Sequence, residues 1–242
     1  MNQLLIDLGA AQDKDEIISI LQKIQETFLK SYCLKIKDFT VYPIEVESYY
    51  YRRNQFEDTS VHGHNLQKNR FGKLYFHRVP GRDNNTIKKP PRSGMDVCLS
   101  NDANFVYGLL IRIGKIVRHN ITNSAAGPSL LSNQIFKLIS EGDEINWDMV
   151  TDFEHKSDNI LSKEVNPFLS KIYHLPRVGI DANNHPDYYA LYLRSCMDLS
   201  LVKHKGDDVI SIMVSQKIPP TAENIITLFG RNSTRIKNKV NF

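Results

Sequence analysis

The stretch Ile44-Glu45-Val46-Glu47-Ser48-Tyr49-Tyr50-Tyr51 decides how this chain is read. Its residues alternate with a period of two, the mark of a strand. Successive side chains leave a strand on opposite faces. Ile44, Val46 and Ser48 therefore share one face, while Glu45, Glu47 and Tyr49 share the other. Glutamate is a poor strand former, so two of them on one face need a reason. Two reasons are open. The face meets water, with Lys or Arg as partners, or it sets a carboxylate beside an aromatic ring for base chemistry on a ring-shaped substrate.

Outward from that strand, residues 35–51 read as extended chain. Before it, residues 15–30 carry Ile17, Ile18, Leu21, Ile24, Phe28 and Leu29 at helical spacing, with Asp13 or Asp15 as the cap. After it, the polar residues 54–69, with His62 and His64, predict a loop. Residues 71–79 read as a strand. Residues 80–93 are rich in Pro, Gly, Asn and the bases Arg82, Lys88, Lys89 and Arg92, which predicts a loop or a long hairpin tip. Residues 94–100 and 105–113 form a strand pair across the turn Asn101-Asp102-Ala103-Asn104. Gly127-Pro128-Ser129 opens a helix that runs to residue 139.

Residues 147–172 read as mostly helical or irregular. Residues 177–181, 188–194 and 198–202 read as closing strands, 221–228 as a short helix, and 231–242 as a basic, loosely held tail. Strands fill the middle and helices surround them. The expected class is α+β: one domain over residues 1–208, a central, mostly antiparallel curved sheet or partial barrel with peripheral helices, and a C-terminal extension over 209–242.

The totals set bounds. The chain has 242 residues, 41% hydrophobic and 24% charged, ordinary values for a globular protein. A net charge of +4 permits a phosphate-bearing partner without the strong basic footprint of a dedicated nucleic-acid binder. Cys33, Cys98 and Cys196 are odd in number and far apart, so free buried thiols in a reducing compartment are expected. Residues 1–11 include Asp7 and lack the pattern of a signal peptide. No apolar run approaches membrane-spanning length, and a cytoplasmic protein without membrane contact is expected. His62 and His64 lack a third ligand at useful spacing, so no metal is expected.

Several segments, read in order, resemble the alkyladenine (3-methyladenine, methylpurine) DNA glycosylases. They are Ile44 to Tyr49; His62-Gly63 followed by Lys68-Asn69-Arg70 and Gly72-Lys73-Leu74-Tyr75; Gly94-Met95-Asp96-Val97-Cys98 leading to Leu109-Leu110-Ile111-Arg112; Gly127-Pro128-Ser129-Leu130; and Pro176-Arg177-Val178-Gly179-Ile180 with Arg194 beyond. The order and rough spacing hold over residues 35–202, as in a remote relative. The resemblance implies a monomer that binds DNA, flips a damaged purine into a pocket and needs no cofactor. It implies that Glu47 activates the water that attacks the sugar C1′, with Arg112 beside it. It implies a base pocket of Tyr49, His62, His77 and Ser100, and DNA contacts from Lys68, Arg70, Arg82, Lys88, Lys89 and Arg92.

The chain departs from the family at three places. His77 stands where the family has a second stacking tyrosine. Ser100 (or Asn101, with a one-residue slip) takes the place of the asparagine that guards against guanine. Ser93 replaces the wedge tyrosine, and serine cannot fill a gap in a base stack. In the basic insert beside it, Ile87 is the only bulky apolar residue that could replace the wedge.

The chemistry is consistent with one carboxylate. Cleaving an N-glycosidic bond builds positive charge on the sugar, which a fixed carboxylate stabilises while it takes a proton from water. A cationic alkylated base leaves unaided, whereas a neutral base needs an acid, for which His62 or His77 would serve. Stacking a flipped base on Tyr49 or His77 contributes about 1–3 kcal/mol. Glu45 on the same face would raise the pKa of Glu47. Other readings stand beside these. Arg112 has Glu45 or Asp96 as structural partners, and Lys88, Lys89 and Arg92 have a solvated tip. The whole chain could be a non-catalytic nucleic-acid-binding module of the same fold, or an N-glycoside hydrolase of single strands or free nucleosides.

Overall fold

Asp13 starts the first long helix of the computed structural model, which describes residues 1–79, 86–101, 103–201, 213, 217–219, 221, 223, 224 and 227. A short helix α1 (Asn2–Ala10) precedes it. The Asp13 side chain accepts the N–H groups of Asp15 and Glu16 at 2.8 and 3.1 Å, satisfying two donors the first turn leaves orphaned. Helix α2 (Lys14–Ser31) follows and buries Ile17, Ile20, Leu21, Ile24, Phe28 and Leu29. Each such side chain contributes about 1.5–3 kcal/mol by leaving water.

The chain then runs through β1 (Tyr32–Ile36), β2 (Phe39–Arg52), β3 (Phe56–Glu57), the one-turn helix α3 (His64–Gln67), β4 (Leu74–Phe76), β5 (Met95–Cys98), β6 (Phe105–Arg118) and β7 (Ile121–Ala126). Helices α4 (Pro128–Ser140) and α5 (Trp147–Lys156) come next, then the short strands β8 (Leu161–Lys163), β9 (Tyr173–Leu175) and β10 (Arg194–Cys196). The architecture is α+β, a single sheet of antiparallel strands curled into a half-barrel with helices around it. The main order is β4-β5-β6-β2-β1-β8, with β3 and β10 also on β2, β7 on β6, and β9 on β10.

Strand β2 lies at the centre, and both of its faces are buried between residues 41 and 50. Val46 and Tyr50 face the core that α2 covers. Ser48 points the same way. Its hydroxyl meets Gln25 Nε2 of α2 at 2.8 Å and Tyr107 Oη at 2.8 Å. Glu45 and Glu47 lie on the other face at 2% and 0% exposure, so the water-facing reading of that face is overturned. All three cysteines are buried and free.

Other expectations need correction. Residues 54–69 hold β3 and α3 rather than loop alone. Of the expected strands at 177–181, 188–194 and 198–202, only Arg194 lies in a strand, at the start of β10, while β9 forms ahead of them; residue 202 lies outside the described residues. Asp181 explains part of this: its carboxylate captures Asn183 N–H at 3.0 Å and Asn184 Nδ2 at 2.8 Å, holding a turn instead of a ladder. Ile87 packs into the core at 6% exposure, where it cannot act as a wedge. The helix expected at 221–228 and the tail lie largely or wholly outside the described residues. Among the described residues, no helix is long and apolar enough to cross a membrane.

Candidate active site

Strand pairing draws one row of side chains across the sheet. Glu47 on β2 is opposite Leu110 on β6, Leu110 is opposite Asp96 on β5, and Asp96 is opposite Tyr75 on β4. On its other side Glu47 is opposite Arg194 on β10. Cross-strand partners share a face, so these residues all turn away from α2. Two strand spacings separate the Glu47 and Asp96 backbones by about 10 Å.

Glu47 is held by three donors. Val178 N–H reaches Oε1 at 2.8 Å, Tyr49 Oη donates to Oε2 at 2.9 Å, and Arg112 Nη1 donates to Oε2 at 3.3 Å. An ionised carboxylate has about four acceptor positions, and these donors take three of them. Burial first, and the Glu47 charge second, push the Tyr49 hydroxyl well above its ordinary pKa. That hydroxyl stays protonated and donates. Arg177 lies with its guanidinium carbon 4.8 Å from the Tyr49 ring centre. Fully buried, it pairs with Asp58 at 2.5 Å and also donates to Ser48 O and Ser60 Oγ.

Arg112 reaches both glutamates because the ladder is irregular there. Pairing steps from Glu45↔Ile113 to Val46↔Ile111, so Arg112 is an extra residue on β6. Its Nε donates to Glu45 Oε1 at 3.0 Å, and Arg194 Nη1 approaches the same oxygen at 3.4 Å. Burial would lower the Arg112 pKa, but the Glu47 and Glu45 charges outweigh it and raise the value. Glu45 itself is raised, chiefly by burial, with Arg112 and Arg194 pulling against it.

A second group forms at the far end of the row. His77 Nε2 lies 2.9 Å from Asp96 Oδ1, and the His62 and His77 ring centres are 5.4 Å apart. Gln67 of α3 donates to Asp96 Oδ2 at 3.1 Å and to the His62 carbonyl at 2.8 Å. Gly108 makes this overlay possible, since a Cβ there would sit 2.5 Å from Gln67 Oε1. Although one side of the His62 ring is open to solvent, the protein packed against the rest lowers its pKa, and His77 adds to the shift. Between the two groups Tyr49, Val61, Val106 and Leu110 pack together. Glu47 with Tyr49 and Arg112, and His62 with His77, thus form two clusters on one sheet face.

The other expected site residues are dispersed. Ser100 is fully buried, and its hydroxyl accepts the Tyr107 N–H at 2.7 Å. Arg70 donates to the backbone carbonyls of Leu66, Leu74 and Glu154, tying a loop together. Lys68 caps the end of α3. Exposed Lys89 sits 5.0 Å from the Trp147 ring centre, Lys88 is half-buried, Arg92 is exposed, and Arg82 lies outside the described residues. Arg177, Gln67 and the Val178 N–H carry no local sequence signal for the parts they play here. Their partners lie 29 to 131 residues away. Among the described residues, no three His, Cys, Asp or Glu groups could hold a metal ion.

No family model matches this chain, and no curated protein matches it.

Proposed function

We propose that the chain is a monofunctional DNA glycosylase-like hydrolase that releases alkylated or deaminated purines, as in base excision repair. The observation that carries this reading is the Glu47 carboxylate. It is buried and oriented by Val178, Tyr49 and Arg112. In this reading Glu47 removes a proton from a water while the sugar gains positive charge, and Arg112 holds the carboxylate in place. Tyr49, His62 and His77 take the base. The resemblance to the methylpurine glycosylases gives the substrate class, and the protein acts as a monomer without a cofactor.

Release of hypoxanthine, ethenoadenine or 3-methyladenine from single- and double-stranded oligonucleotides tests it. Glu47→Gln is expected to lower the rate by about 100-fold or more, the range for loss of a general base. Absence of release by the unaltered protein from every substrate would overturn it.

One observation favours a second reading, a nucleic-acid-binding protein without catalysis. Ser93 stands at the wedge position, is buried, and bonds Ser129 and Ser132 at 3.1 and 2.8 Å, so it offers nothing to insert into a base stack. That protein would bind DNA equally well with Glu47→Gln and release no base.

A further inference from the structure

A cleft of about 490 Å³ opens beside Glu45 and Arg112. That volume suits a small-molecule site. Its wall includes Arg92, Arg112, Arg194, Ser93 and Ser129, with Glu45 as its only carboxylate among the described residues. Arg112 and Arg194 pair with Glu45, and Arg112 also pairs with Glu47, so two guanidiniums meet two carboxylates. Arg92 is a third guanidinium, exposed and in no ion pair among the described residues. Arg112 has used two of its five N–H donors and retains three.

The first turn of α4 forms the opposite wall. Gly127 N–H bonds the Arg112 carbonyl at 2.9 Å, which fixes this turn against β6. Pro128 has no N–H, and those of Ser129 and Leu130 have no acceptor within the helix. No side chain caps this end and no acidic residue lies in its first turn. The hydroxyls of Ser93, Ser129 and Ser132 form a chain at 3.1 and 2.8 Å, and Ser93 is 4% exposed. The cleft therefore presents guanidinium, hydroxyl and backbone N–H donors, with positive charge in excess. Guanidinium forks match the geometry of phosphate oxygens.

We propose that this cleft is a phosphate-binding site, built from Arg92, Arg112, Ser129 and the start of α4, that takes inorganic phosphate or the terminal phosphomonoester of a nucleotide. The site stands whether or not Glu47 is a catalytic base.

Calorimetric titration at low ionic strength tests it, with inorganic phosphate, a 5′-phosphorylated dinucleotide and its dephosphorylated form as probes. Inorganic phosphate is expected to bind saturably at one site. Arg92→Glu, a surface change, is expected to weaken it at least tenfold. So is Ser129→Asp, which places a carboxylate where the phosphate would sit and suits a helix start, so the fold is retained. Glu47→Gln, which removes a counter-charge from Arg112, is expected to bind phosphate at least as tightly as the unaltered protein. If the phosphorylated dinucleotide competes and its dephosphorylated form does not, the cleft takes a nucleotide end. If neither competes, it takes the free ion. Lack of saturable phosphate binding, or binding undiminished in both Arg92→Glu and Ser129→Asp, overturns the proposal.

Discussion

Glu45 and Glu47 stand two residues apart on one strand and meet different surroundings. Glu47 receives three donors, one from each of three segments. Glu45 receives two guanidiniums on one oxygen, yet burial still lifts its pKa above 4.5. A carboxyl whose folded pKa is raised adds stability below its unfolded pKa, and that contribution is lost as pH rises through the folded value. Glu45→Gln, which cannot ionise, is therefore expected to lose less stability against the unaltered protein at pH 8 than at pH 4.5. Urea unfolding at both values decides it, and a deficit that grows toward pH 8 would refute the dominance of burial. The strand alternation is legible in the sequence, and so is the shared face of Glu45, Glu47 and Tyr49. Burial of that face is not, because it depends on Arg112, Arg177 and Arg194, which arrive from distant strands and loops.

At the scale of elements, the long ones are the legible ones. Helices α2 and α4 carry repeated apolar spacing and a cap or a Gly-Pro start, and both form close to their expected bounds. Strands β3, β4, β8, β9 and β10 have two or three residues each, too few to show a period. They form because a neighbouring strand offers free backbone groups, which no local pattern announces. Helix α3 has its own requirement. Its N-cap, Gly63, is left-handed at φ +59°, and a Cβ there would lie 2.3 Å from the Tyr75 hydroxyl. Gly63→Ala is expected to cost about 2 kcal/mol or more, from backbone strain and overpacking together. Thermal and urea unfolding measure this, and a loss below about 0.5 kcal/mol, the ordinary surface range, would contradict it.

For the whole molecule, the net charge of +4 is modest. Nucleic-acid binding, if Lys88, Lys89 and Arg92 reach phosphates, should weaken linearly in log–log form with added salt. Each lost duplex contact should reduce the slope by about 0.9. Binding of Lys88→Glu and Lys89→Glu across a salt series checks this, and slopes equal to that of the unaltered protein would place the contacts elsewhere. The ion-pair network also carries a consequence for how the chain assembles. Glu45 and Glu47 enter the sheet from its first third. Arg112 follows 67 and 65 positions later, and Arg194 follows Glu45 by 149. Contacts so far apart in sequence form slowly. A half-built sheet would hold two carboxylates without their counter-charges, at high cost in a dry interior. The charge balance of the site therefore rests on long-range contacts: Arg112 on β6 meets both carboxylates, and Arg194 on β10 adds a second guanidinium to Glu45.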